Sequence, residues 1–399
     1  MPRRDAPQPT RRRWARPVSD TLRTRVAIVG AGITGLSIAW HLLERGAGRV
    51  TVYERTGVGA GASGVQPGGV RQQWSTAVNC LLARDSLAFY REASGRLQAR
   101  VDLRFRACGY LFLAHSATEL ERLARAVDLQ RGLGVPSRVL APADAAGLVP
   151  GLNADAIAGA SWCAEDGYFD RPQSVVEAFA EAVLRGGTEI RAAEVVALDA
   201  VHGGWTLRLA GGEEARAEQV VVAAGYDSPP LLATAGFELP IEREARYMFY
   251  GDPIAERLLD PLVVSQEKHF AAKQLADGRV LASDLSAAGD PETERAAWRE
   301  HVRACVAELL PRLEFVSLPL LVEGVYDVTP DHQAIVGPVP ERPGLWIAAG
   351  FSGHGFMVAP AVGRAIAAQL CGNPPEAHLA ELAADRFARG ELVPESGVV

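Results

Sequence analysis

Lysine is almost missing from this 399-residue chain: Lys268 and Lys273 are the only two among 41 basic residues. Coding bias in a GC-rich genome is the bland cause of that. Cysteine is scarce too. The five cysteines (80, 108, 163, 305 and 371) are odd in number and show no CxxC or Cys/His spacing. That excludes a disulfide framework and a zinc or other metal site, and it points to a reducing, cytoplasmic setting. No apolar run of eighteen residues lacks glycine or charge, so no membrane span is expected. Internal repeats and low-complexity stretches are missing as well. The net charge is −7, but residues 1–25 carry eight arginines against Asp5 and Asp20, which leaves the remainder strongly acidic. An acidic body excludes nucleic acid as the main partner. Residues 1–24 read as a solvated, disordered basic tail. What is present is ordinary for a folded protein: 48% hydrophobic residues, and length enough for two domains.

The pattern along the chain is α/β. Arg25–Gly30 is a short β-branched run ending in glycine, Ile33–Arg45 has helical spacing, and Val50–Glu54 is a second strand. Strand, helix and strand in thirty residues make a βαβ unit. Helices are expected over 76–98, 117–133, 174–185, 293–310 and 356–370. Strands are expected over 108–114, near Val195, over 220–224 and over 345–349, with a hairpin at Gly203-Gly204. The stretch 240–325 alternates in the manner of an antiparallel sheet. These elements predict a Rossmann-like dinucleotide domain in three pieces (25–100, 150–235 and 326–390). Into it is inserted an α+β substrate domain (101–149 and 236–325) built on a mixed, largely antiparallel sheet.

Gly30-Ala31-Gly32-Ile33-Thr34-Gly35 is GxGxxG between a strand and a helix. Its glycines permit a tight turn, close backbone approach to a pyrophosphate, and close helix–strand packing, while the helix N-terminus offers N–H donors. Glu54, next to Arg55, ends the following strand nineteen residues beyond Gly35, where a carboxylate accepts ribose hydroxyls. Small residues then continue through Ala62-Ser63 and Gly68-Gly69-Val70, which suits a cofactor reaching past its pyrophosphate toward a flavin. Val195 and the strand ending Ala224-Gly225 are placed beside the same cofactor. Gly350-Phe-Ser-Gly353-His354-Gly355-Phe356-Met357 opens a helix whose N-terminus can stabilise charge on a reduced flavin. FAD is therefore favoured over NAD.

At this point the chain resembles the D-amino-acid-oxidase-like flavoprotein superfamily, in its sarcosine-oxidase and glycine-oxidase branch. The carrying residues are Val26–Gly35, Glu54, Gly68–Ser75 (GGVRQQWS), Val220–Gly225, Tyr326–Gly337 (YDVTPDHQAIVG) and Gly350–Gly363. GGVRQQ with GFSGHGF is especially similar to the sarcosine-oxidase β-subunit and L-proline dehydrogenase type. The resemblance implies hydride transfer from an amine-bearing carbon to flavin N5, an imine that water hydrolyses, and dioxygen as acceptor. A dehydrogenase subunit serving a partner or quinone, and a non-catalytic FAD-holding assembly factor of the kind that aids respiratory complex I, are the alternative readings. It also implies Arg71 beside the flavin, Tyr326 over the substrate and His354 at the flavin edge. Gln73, Tyr247 and Met357 then fall in the substrate pocket.

Several positions depart from the family pattern. Gly324 replaces the cysteine that tethers FAD in monomeric sarcosine oxidase, which implies noncovalent FAD. Met357 replaces the lysine, and Gln72, Gln73 and Trp74 the second arginine, of the usual carboxylate clamp. The family's oxygen-activating lysine aligns near Val280. His269, Ala271 and Lys273 would share one face of an extended strand, which makes His269 and Lys273 further catalytic candidates.

Overall fold

The computed structural model describes residues 23–397. The tail expected over 1–24 lies outside the described residues, except that Arg23 and Thr24 already belong to the first strand. Strand β1 (Arg23–Val29) leads into helix α1 (Ile33–Glu44) and strand β2 (Val50–Glu54). β1 pairs parallel with β2 on one flank and with the Glu214–Val222 strand on the other. The Leu345–Ala349 strand then adds parallel to Glu214–Val222. In these strands Val26–Val29, Val220–Val222 and Leu345–Ala349 are apolar runs because both faces of a parallel sheet are covered there. Val26 and Ile28 pack toward α1 and its neighbours, while Ala27 and Val29 pack into a second cluster on the opposite face.

α1 is buried over almost its whole length and lies against the Gly355–Leu370 helix. The approach is so close that a Cβ on Gly363 would sit 2.2 Å from Ser37 Oγ. That second helix contains Pro360, whose missing N–H leaves the Phe356 carbonyl without its usual donor. The buried Tyr90 hydroxyl donates to that carbonyl instead, so the helix continues.

A second eight-stranded sheet forms the other layer. Its order is Leu320–Val328, Glu242–Pro253, Arg279–Asp284, Phe270–Gln274, Leu262–Ser265, Tyr110–Ala114, Gly159–Cys163 and Arg138–Leu140. Every neighbouring pair is antiparallel except Leu262–Ser265 with Tyr110–Ala114. The expected boundary at residue 150 needs correction. Gly159–Cys163 pairs with Tyr110–Ala114 throughout its length, so it belongs to the second sheet and not to the dinucleotide fold. The helix Pro291–Leu309 packs Trp298 and Val302 against that sheet's far face. Its near face looks toward the dinucleotide fold.

Candidate active site

Between the two layers lies a cavity of about 630 Å³. The glycine loop forms one end. Gly30 has φ +109°, and a Cβ there would stand 2.4 Å from the Ala223 carbonyl oxygen, so only glycine turns the chain at this point. Gly35 meets the Gly30 carbonyl equally closely and packs the loop from behind, away from the cavity. Gly32, Ile33 and Thr34 line the wall, and so do Ala62 and Ser63 from the following loop. Ser63 Oγ accepts from the Ile33 amide at 3.0 Å. Ala31 is turned inward, and its N–H donates to Glu54 Oε2 at 2.9 Å.

Glu54 lines the same end. Burial pushes its carboxyl up, but hydrogen bonds from the amides of Thr56, Ala31 and Gly57 outweigh that and hold it below the usual range. Arg55 is also at the wall, with its guanidinium 2.6 Å from Asp227. Val195, Ala224 and Gly225 close this end.

The other end lies under the second sheet. Alternation along the strands sends every other residue to the cavity. Arg246 stands opposite Gly324, Met248 opposite Val322, Ala271 opposite Ser283 and Lys273 opposite Leu281, and all of these line the cavity. Tyr247, Phe249, Val280 and Ala282 alternate with them and enter the core on the far face. Tyr247 borders the cavity, but its side chain is turned to that core. Its ring stacks on Trp298 at 4.4 Å, and its hydroxyl donates to the Gly289 carbonyl. Val280, where the resemblance put the oxygen-activating lysine, faces the same core. Lys273 on the adjacent strand is the lysine at the cavity. It is 2% exposed, its Nζ donates to the Pro67 carbonyl, and it lies 4.3 Å from the Tyr168 ring centroid. Burial lowers its ammonium to about 7.

His269 is corrected more completely. It is exposed, has φ +47° and occupies the turn before the Phe270–Gln274 strand, so the alternation shared by Ala271 and Lys273 does not reach it. Gln73 is turned away too. Its amide donates to the Tyr110 carbonyl (3.0 Å) and to Asp166 (3.1 Å), while its oxygen accepts from Ser161. Asp166 is fully buried, and burial pushes its carboxyl up to about 6 against hydrogen bonds from Gln72 and Gln73. A buried carboxylate needs donors, and it takes both glutamines. Gly68 and Val70 also serve packing: a Cβ on Gly68 would meet the Phe169 carbonyl at 2.4 Å, and Val70 is in the core. Gly69, between them, faces the cavity.

The loop before the Gly355–Leu370 helix is shaped by Asp327, which the sequence reading passed over. Its carboxylate accepts from the Gly350 amide at 2.7 Å and its carbonyl from the Ser352 amide at 3.0 Å. Gly350 is thereby a loop hinge behind the wall, while Gly353, Gly355, Phe356 and Met357 line the cavity. Tyr326 lies against Gly353, where a Cβ would be 2.2 Å from its ring, and Arg246 sits 5.1 Å from the ring centroid.

His354, at the head of the helix, is 2% exposed and packs on Trp74 at 4.8 Å. Neither of its ring nitrogens has a partner among the described residues. Burial lowers the imidazole to about 4, with Glu395 opposing. Arg71 lies 3.5 Å over the Trp74 ring and donates to the carbonyls of Gln73 and Gly397, and its Nε has no partner among the described residues.

These features fit an elongated anionic cofactor. Two helices, α1 and Gly355–Leu370, begin at the cavity with no side-chain cap and no acidic residue in the first turn. Their N–H groups and positive dipole ends thus meet the same space. Buried orphan nitrogens on Arg71 and His354 lack partners that a flavin's ring oxygens and nitrogens can supply. None of the five cysteines is among the lining residues.

Comparison with known proteins gives the same picture. The family described as DAO, FAD dependent oxidoreductase, matches residues 25–369. A glycine oxidase from Pseudomonas putida is 31% identical over 360 residues, covering 88% of this chain and 95% of the relative. FAD-dependent oxidoreductase domain-containing protein 1 of Xenopus laevis is 28% identical, over 94% of this chain and 85% of its own length. The crystal structure of L-proline dehydrogenase from P. horikoshii superposes with a TM-score of 0.85 at 27% identity, covering 93% and 99% of the two chains.

Proposed function

Because the chain belongs to the DAO family of FAD-dependent oxidoreductases, we propose that it oxidises the C–N bond of a small amine or amino acid, a secondary amine by preference, with dioxygen as the final acceptor. The observation that carries this reading is the single cavity that runs from the glycine loop and Glu54 to the sheet face bearing Lys273 and Tyr326. Held noncovalently here, FAD would supply the two-electron oxidation that turns the amine into an imine, which water then hydrolyses.

Gly30, Gly32 and the first turn of α1 would hold its pyrophosphate, and Glu54 would take the ribose hydroxyls. Arg71, His354 and the head of the Gly355–Leu370 helix would hold the ring end. The roof over the substrate is mostly apolar, with Met248, Leu262, Val264, Leu281 and Val322. Such a surface disfavours an ammonium and selects the neutral amine, whose lone pair assists departure of hydride. Tyr326 offers a hydroxyl for orientation. Lys273, poised near neutrality, is the cavity's protonable group for the oxygen reaction. The five unpaired cysteines support a reducing, cytoplasmic setting.

Anaerobic titration of the holoenzyme with a panel of secondary amines and amino acids tests this. Bleaching of the visible flavin band by one class, then rapid recovery with peroxide in air, is expected. Bleaching followed by slow recovery in air would replace the oxidase with a dehydrogenase. Full FAD occupancy without bleaching by any amine would overturn the proposed substrate class.

A further inference from the structure

The segment Glu391–Gly397 folds back into the core beside Arg71. Glu395 is only 2% exposed. One carboxylate oxygen accepts from the amides of Ser75 (3.0 Å) and Gly397 (2.8 Å) and from the Ser75 hydroxyl. The other accepts from the Thr76 amide (3.2 Å), the Thr76 hydroxyl (2.7 Å) and Asn79 Nδ2 (3.0 Å). This nest is the N-terminus of the Ala77–Arg96 helix. That helix has no acidic residue in its first turn, and its own N-cap, Thr76, makes no side-chain capping bond. A carboxylate from far along the chain therefore takes the place of a local cap.

Two residues further on, the Gly397 carbonyl accepts from Arg71 Nη2. Neighbouring bonds fix the segment on both layers: the Glu395 amide donates to the Asp331 carbonyl, and Gln266 Nε2 donates to the Ser396 carbonyl. Arg71 is in turn a wall residue of the cofactor cavity.

We propose that Glu395 is a positioning residue of the FAD site: by capping the Ala77–Arg96 helix it holds the Gly397 carbonyl against Arg71 and so fixes the guanidinium on the cavity wall. The inference rests on the FAD reading above but adds a role that the glycine loops do not have. Glu395 is not among the residues that line the cavity and reaches it chiefly through Arg71, with its charge also felt by His354.

The test is a double-mutant cycle on FAD affinity, read by quenching of flavin fluorescence as the apo-protein is titrated with FAD. In Glu395→Gln the side-chain NH₂ faces donors instead of accepting from them, so the cap opens. FAD affinity should fall about tenfold, the size expected when a buried charged group loses its hydrogen bonds. In an Arg71→Ala background the same change should have a clearly smaller further effect, because the route through Arg71 is already cut and only the weaker effect of the charge on His354 is left. Equal losses in both backgrounds would overturn the proposal and leave Glu395 a merely structural cap. Should Glu395→Gln fail to fold, Ser75→Ala removes one hydroxyl donor and keeps the backbone amide. It should weaken FAD binding by a few-fold with the same non-additivity. Unchanged FAD affinity and visible spectrum in both variants would also overturn the proposal. Wild-type protein that takes up no FAD would instead overturn the reading on which it rests.

Discussion

Replacing Lys273 with methionine separates a working amine from a structural one. Burial lowers the Lys273 ammonium from 10.5 to about 7, with the charge of Asp170 opposing. Between pH 7 and 10.5 the unfolded chain holds a proton that the native chain has released, so native stability rises with pH. Below pH 7 both states hold it, and the penalty is constant at about 5 kcal/mol. Lys273→Met removes that penalty and also loses the bond to the Pro67 carbonyl, a pH-independent loss of about 1–2 kcal/mol. The pH-dependent part is therefore the signature. Wild type should gain about 2.5 kcal/mol on the variant between pH 6 and pH 9. The variant should be the more stable protein at pH 6. Urea unfolding of both flavin-free proteins at pH 6, 7.5 and 9 measures it, with cofactor binding removed from the balance. A gap that stays constant to within about 0.5 kcal/mol across that range would refute the reasoning, because Lys273 would then titrate like any solvated lysine. With FAD bound, the same variant should reoxidise in air roughly 10²-fold more slowly while reduction by the amine is nearly unchanged, the usual scale for loss of one preorganised electrostatic group.

Other outcomes follow from the same geometry. Gly30→Ala forces a Cβ to 2.4 Å from the Ala223 carbonyl at φ +109°, so the protein should purify colourless, as absorption of the purified protein shows at once. The buried pair of Arg386 with Asp331 (2.8 and 2.9 Å, both side chains about 1% exposed or less) should cost about 3–5 kcal/mol when broken by Asp331→Asn. Thermal unfolding reads that loss, and adding Arg386→Met should recover part of it.

Much of the dinucleotide half was legible because its signals are local. β1, α1 and β2 follow from apolar periodicity and glycine spacing within thirty residues, and Glu54 falls at the strand end where the spacing put it. The second sheet was legible as a class but not in its membership. Gly159–Cys163 lies next in sequence to the dinucleotide pieces, yet pairs with a strand some fifty residues back. His269 was misread because strand alternation holds only inside a strand, and a left-handed turn ends this one at Phe270. Tyr247 reaches the cavity only at its border, because the same alternation turns its ring to the far face between Arg246 and Met248. Asp166 and Glu395 carried no signal, and Asp327 stood only inside the Tyr326–Gly337 motif with no role attached to it. Their partners are fixed only by tertiary structure, across 94, 23 and 320 residues in the bonds to Gln72, Gly350 and Ser75.

That long reach has a consequence for biosynthesis. β1 leaves the ribosome early but lies between β2 and a strand that ends at Val222, and the sheet gains its next member only with Leu345–Ala349. The Ala77–Arg96 helix, meanwhile, waits for Glu395. A nascent chain of two hundred residues thus has the glycine loop without the sheet that shapes it. FAD capture becomes a late event after most of the polypeptide has been made, and until then the apolar face of α1 is exposed to chaperones and proteases.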